Sequence, residues 1–239
     1  MVVTTKAIVL SSIKYSESDV IVTCYTEVAG VKSYLVRGVL KPKKKGLRSS
    51  MFQPLTQLEL TAFHKDKGTL ESIKEARVIS PYSTVHTNIV KTTLVMFLSE
   101  VLKNAIKEET PDAALYVFLT QSMDWLDMNN SVANFHISFL LQLSEYLGFA
   151  PDLSTIEAPY FNLIEGNFQT TMTGKYCEEG KKVEALKQFF GIHFDDLSKI
   201  KLTKHERLET LTLLLTYYQL HLQSFQEPKS FSILNQLFK

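Results

Sequence analysis

The sequence predicts an α+β protein, with a small five-stranded antiparallel β-barrel over residues 1–80 and an all-helical domain over residues 81–239. β-Branched and aromatic residues come in short runs separated by turn residues as far as Ser80. From Ser80-Pro81 onward the apolar period lengthens from two to about 3.6. Charge divides at the same place: residues 1–80 hold 13 basic and 7 acidic side chains, net +6, and the remainder holds 13 and 18, net −5. A basic module is thus joined to an acidic one in a chain whose total is only +1, a pattern that points to an anionic partner for the first part.

TKAIVLSSIKY and DVIVTCYTEV are the first two strands, and Ala29-Gly30 turns the chain into the third, VKSYLVRGV. PLTQLELTAFH and, beyond KDKG, TLESIKEARVI complete the five. Five antiparallel strands in so few residues suit the OB-fold, a Greek-key barrel, although an SH3-like barrel has the same strand count.

In the second part, IVKTTLVMFLSEVLKNAI places Ile89, Leu94, Phe97, Leu98, Val101, Leu102 and Ile106 largely on one side of a helix. Thr110-Pro111-Asp112 reads as a helix start, with Thr110 as N-cap and Pro111 where its missing N–H is harmless. ALYVFLTQSMDWL follows, and NFHISFLLQLSEYLG then stops at Gly148 with Pro151 beyond it. Residues 151–180, punctuated by Pro151, Pro159, Gly166, Gly174 and Gly180, are irregular. Thr203 and Glu206 form a capping box ahead of RLETLTLLLTYYQLHLQSF, and Pro228 opens a short final helix, KSFSILNQLF.

Two cysteines, Cys24 and Cys177, cannot build a disulfide framework, so a reducing compartment is expected. The first residues do not read as a signal peptide, and LTLLLTYYQLHL is broken by polar residues well before bilayer length. A cytoplasmic location is the expectation. No phosphate-cradling glycine loop or nucleophile elbow occurs, and His64, His86, His136, His193, His205 and His221 form no metal-binding spacing. Cys177 lies beside Glu178 and Glu179, which disfavour a thiolate. HFDD at 193–196 reads most simply as a helix start capped by Asp195 or Asp196. No catalytic constellation emerges, so neither an enzyme nor a cofactor is expected.

The segment RGVLKPKKKGLRSS, residues 37–50, holds Arg37, Lys41, Lys43, Lys44, Lys45 and Arg48 without one acid. It falls in the connection between strands three and four, where cations project as they could not from a strand interior. Two readings stand: a solvated surface run, or a phosphate track on a basic barrel. Tyr25 and Tyr34, on strands two and three, are either exposed faces on which bases stack or part of the core.

The ordered set of TKAIVL, YSESD from Tyr15, YTEVAG from Tyr25, VRGVLKPKKK from Val36 and MFQPLTQLEL from Met51 resembles the bacterial recombination mediator family RecO. GTLESIKEA from Gly68 is similar to the segment that closes that family's barrel, and PKSFSIL from Pro228 to its terminal helix. The resemblance covers nearly the whole chain. It implies an N-terminal OB-fold and a C-terminal helical domain acting in DNA repair. It also implies binding of single- and double-stranded DNA, annealing of complementary strands, and help in loading a recombinase on strands coated by the single-strand-binding protein. The implied partners are RecR and the acidic, apolar C-terminal tail of the single-strand-binding protein. Lys204 and Arg207 are candidates for a basic pocket that takes this tail, against the alternative of solvated first-turn charges. Many members carry a four-ligand zinc site where residues 160–180 here offer Cys177 alone as a thiolate. No structural zinc is therefore expected, with Phe161, Leu163 and Phe168 packing the region instead. The alternative to a mediator is a non-catalytic protein–protein adaptor with an incidental basic loop.

Overall fold

The computed structural model describes residues 1–41, 46–65, 70–107 and 110–237. Compactness divides the chain into Met1–Met128 and a second unit that begins at Asn129.

The first unit starts with β1 (Val2–Lys14), β2 (Val20–Thr26), β3 (Gly30–Val36), β4 (Gln57–Phe63) and β5 (Ser72–Ser80). They form one antiparallel sheet in the order β3-β2-β1-β4-β5. β1 pairs with β4 through its first half and with β2 through its second, and a bulge between Val9 and Ser11 lets it serve both. The two outer strands meet at Glu71, whose N–H donates to the Ser33 carbonyl at 2.9 Å and whose carbonyl accepts from Leu35 N–H at 2.8 Å. This closes the sheet into the OB-fold barrel. Its interior holds Val9, Val22, Cys24, Tyr34, Leu58 and Leu60, and Phe52 plugs it from a 3-10 turn at Ser49–Phe52.

Strict alternation fails on β1, where Ala7, Ile8, Val9 and Leu10 are all buried. The reason is a second layer: α1 (Ile89–Ala105) packs on β1 and covers its outer face. α2 (Ala113–Met128) belongs to the same compact unit. A polar seam joins it to the barrel, for Asp124 Oδ1 accepts from Gln57 Nε2 at 2.8 Å and from the Ser80 hydroxyl at 3.0 Å. At the helix end the Asp127 carboxylate accepts the backbone N–H groups of Ser83, Thr84 and Val85 at 2.7–2.9 Å. Lys91, only 1% exposed, donates to the Thr84 hydroxyl and to the Asp127 carbonyl. A buried ammonium without such acceptors would be costly.

Two details differ from expectation. The N-cap of α2 is Asp112 rather than Thr110, because Asp112 Oδ1 accepts from Leu115 N–H at 3.0 Å and its carbonyl from Tyr116 N–H. Ile89, at the first position of α1, is 71% exposed and not part of its buried face.

The second unit contains α3 (Phe135–Tyr146), the short strands β6 (Tyr160–Asn162), β7 (Asn167–Gln169) and β8 (Cys177–Glu178), then α4 (Lys181–Lys187), α5 (Lys204–His221) and α6 (Phe231–Leu237). The three strands form a sheet ordered β7-β6-β8, which adds to the helical reading of this part. Strands of two or three residues are too short for a period to show in sequence. Phe161, Leu163 and Phe168 are 2% exposed or less, each side chain contributing about 1.5–3 kcal/mol by burial. Phe161 also meets Tyr217 of α5 at 5.6 Å between ring centroids. The residues present do not fit the family's zinc: Cys177 is the one thiol near this sheet, and among the described residues no three His, Cys, Asp or Glu side chains gather. Residues 193–196 lead into a 3-10 turn at Phe194–Lys199 without a side-chain cap; Asp196 pairs with Lys199 instead of capping. Thr203 and Glu206 form the expected capping box of α5. Among the described residues no helix is long and apolar enough to cross a membrane.

Gly166 has φ +67°, and a Cβ there would lie 2.6 Å from Tyr217 Oη. Gly166→Ala is expected to lower unfolding free energy in urea by about 2–4 kcal/mol, with partial recovery when Tyr217→Phe is added. Burial raises the Asp127 pKa, but the three N–H donors outweigh it and hold the group below its ordinary 3.8. Its stabilisation is therefore complete above pH 3.8 and is lost as pH falls through the lower folded value. Acid unfolding followed by circular dichroism is expected to show this loss, and Asp127→Asn to be less stable at neutral pH with a flatter acid limb.

Candidate nucleic-acid interface

Three strand ends define one edge of the barrel. Lys14 lies opposite Val20 and Val20 opposite Val36, so the residues just beyond β1 and β3 leave the same end of the sheet, on either side of β2. The β1–β2 turn is built by YSESD. Tyr15 N–H donates to the Asp19 carbonyl at 2.9 Å, and Ser16 Oγ accepts from Asp19 N–H at 3.2 Å. The same turn then grips the start of the basic segment. Asp19 Oδ1 accepts Gly38 N–H at 2.8 Å, and the Ser18 carbonyl accepts Leu40 N–H at 3.0 Å. The Gly38 bond, the Ser18 hydroxyl and the Arg37 charge hold the Asp19 carboxyl below its ordinary range. Gly38 adopts φ +64°, which the reversal after β3 requires.

The far end is anchored by packing. Leu47 and Met51 lean on the barrel core and Phe52 enters it, while the Arg48 carbonyl accepts Met51 N–H at 3.1 Å. Arg37, Lys41 and Arg48 are exposed between or beside these anchors. Lys43, Lys44 and Lys45 lie outside the described residues. Three other cations of the barrel have a carboxylate partner: Lys6 faces Glu27, Lys74 faces Glu75, and Arg77 donates to Glu59 at 2.9 Å. Among the described residues Arg37 and Lys41 form no ion pair.

The aromatic candidates do not join them. Tyr34 is 0% exposed inside the barrel, its hydroxyl 2.9 Å from His64 Nε2. Tyr25 is 1% exposed on the outer face of β2. Its hydroxyl donates to the Asp112 carbonyl at 3.2 Å and accepts from Asp112 N–H at 3.1 Å, and its ring stacks on Tyr116. Both therefore belong to the packed interior, and neither presents a face to a base.

In the second unit Lys204 is exposed and Arg207 half-buried. Together with Leu208, Leu211, Leu234 and His136 they line a small recess at the start of α5. Arg207 is also structural: Nε donates to Asn134 Oδ1 at 3.0 Å and Nη2 to the Leu202 carbonyl at 3.2 Å. Burial, with the nearby Arg207 charge, pushes His136 down to about 3, so it is neutral at physiological pH.

Two family models match this chain. One, described as Recombination protein O N terminal, covers residues 1–82, and the other, Recombination protein O C terminal, covers residues 86–230. Its relatives include the DNA repair protein RecO of Christiangramia forsetii, 46% identical over 238 residues and all of both chains. Those of Flavobacterium johnsoniae and Bacteroides fragilis are 42% and 34% identical, over 100% and 98% of each chain. The chain belongs to the RecO family of DNA repair proteins.

In this RecO-family chain the barrel edge carries more than the basic run shows. β1, β2 and β3 align Ile13, Ile21 and Leu35 in one cross-strand row, with Ile13 52% exposed and the other two half-buried. The exposed Lys14 ends β1 beside them. A sequence reader meets Ile13 as one more apolar strand residue; the signal available was the YSESD turn directly after it. Asp19→Ala is expected to loosen the root of the basic segment, seen as faster amide hydrogen exchange at Gly38 and Leu40 with β4 and β5 unchanged.

Proposed function

We propose that this RecO-family protein is a DNA-binding recombination mediator whose barrel holds nucleic acid through backbone phosphates. The observation that carries this reading is the pair of exposed cations, Arg37 and Lys41, that stand at the anchored root of the basic segment without an ion pair among the described residues. Lys43, Lys44, Lys45 and Arg48 extend the same run in sequence. Cations held on an ordered scaffold displace condensed counterions from phosphates and give sequence-indifferent binding. Neutralising one strand lowers its repulsion for a complementary strand, which is the physical basis for annealing. Annealing, and help in loading a recombinase on protein-coated strands, follow as the roles of such a surface. RecR is the proposed ring-forming partner.

The Lys204–Arg207 recess is the proposed seat for the tail of the single-strand-binding protein. The basic rim of Lys204 and Arg207, with the half-buried Leu208 beside it, complements an acidic segment that ends in apolar side chains. Arg207 is already fixed by Asn134, so little of its freedom is lost on binding.

If about four phosphates are engaged, single-strand affinity falls with salt at a log–log slope of roughly −3. Fluorescence anisotropy with a labelled oligonucleotide is expected to give that slope, and replacement of Lys43, Lys44 and Lys45 by Ala to flatten it by about two. An unchanged slope moves the site elsewhere, and binding absent at all salt concentrations favours a protein–protein adaptor. Lys204→Glu is expected to weaken an acidic, apolar-ended peptide about tenfold by the charge reversal, with the melting temperature unchanged because Lys204 is exposed.

A further inference from the structure

Among the large apolar side chains at the barrel edge, the aromatic one that faces solvent is Tyr15, 61% exposed. It stands two residues beyond Ile13, directly after β1 ends at Lys14, next to the Ile13–Ile21–Leu35 row in the chain. Its backbone is held by the Asp19 carbonyl, and Asp19 in turn holds Gly38, one residue from Arg37. Aromatic ring, apolar row and cations thus share a single ordered edge.

We propose that Tyr15 is the base-stacking residue of this barrel, and that it sets a preference for single over double strands. The inference rests on the phosphate-binding role proposed for the basic segment. One unpaired base lies on the Tyr15 ring, flanked by Ile13, while the phosphates of the same strand run past Arg37 and Lys41. An unpaired base offers an open π-face, whereas bases inside a duplex are already stacked on their neighbours. The phosphate track serves either form, but the ring contributes only to the single strand. The turn is hydrogen-bonded before any ligand arrives, so stacking is not offset by the entropy of ordering a loop. Glu17 is the exposed acid of this turn; the Asp19 charge is directed instead to Gly38 N–H, the Ser18 hydroxyl and Arg37.

The test compares full-length wild type, Tyr15→Ala, Tyr15→Phe and Tyr15→Trp in anisotropy titrations with labelled oligo-dT and with a labelled duplex of equal length. Tyr15→Ala is expected to lose about 5- to 150-fold in oligo-dT affinity while keeping its duplex affinity within about twofold and its salt slope. Tyr15→Phe keeps both affinities. Tyr15→Trp shows emission quenched by oligo-dT beyond any change in wild type, whose one tryptophan is Trp125, and not by duplex. Because Tyr15 is exposed, the melting temperatures match. Salt-dependent oligo-dT binding that Tyr15→Ala leaves intact, or equal losses on both ligands, overturns the Tyr15 assignment alone. Absence of salt-dependent binding in wild type overturns this assignment together with the phosphate-binding reading.

Discussion

Two backbone hydrogen bonds, from Leu35 N–H to the Glu71 carbonyl and from Glu71 N–H to the Ser33 carbonyl, hold the N-terminal sheet closed. Without them β3 and β5 would be open edges with unpaired donors and acceptors. With them, Tyr34 turns from a side chain on an edge strand into a buried plug that meets His64. The Glu71 carboxylate reinforces the junction by accepting Lys65 N–H at 2.9 Å through both oxygens. Closure also fixes where β3 ends, and hence where Arg37 and the basic segment leave the barrel.

The outer face of the same barrel is governed by a different constraint. α1 covers Ile8 and Leu10, and the α2 start receives the Tyr25 hydroxyl, so a strand such as β1 is apolar on both sides along its middle. Polar groups caught at this seam are satisfied in sets. Asp127 takes three backbone N–H groups, Lys91 finds two oxygens, and Asp124 accepts from both Gln57 and Ser80. Each set is costly to break because the partners left behind are out of water. The solvent-facing edge carrying Ile13, Lys14, Tyr15 and Arg37 lies beyond this cover, which leaves its cations and apolar atoms available to a ligand.

Much of this was legible residue by residue. The five strands follow from β-branched runs, the capping box of Thr203 and Glu206 is a local exchange of hydrogen bonds, and the basic run needs no tertiary context to be basic. Tyr25 and Tyr34 show where legibility stopped. Period two assigns them to opposite faces, one outward and one inward, but it does not say that a helix start waits over the outward one. Thr110 and Asp112 are both good caps, and the choice between them lay in which residue Tyr25 could reach. The strands β6 to β8 escaped notice because two or three residues cannot display a period, and their pairing is held by side chains distant in sequence such as Tyr217.

Sequence alone determined the α+β order of elements, the uneven charge and the position of the cationic connection, because propensity, capping and charge are properties of neighbouring residues. Only the tertiary structure decided which aromatic rings meet water. Burial depends on which strands close against each other and which helix lies across them, and those contacts join residues far apart along the chain. Tyr34 is inside because β3 returns to Glu71, Tyr25 because Asp112 receives it, and Tyr15 is outside because its turn ends at the uncovered edge.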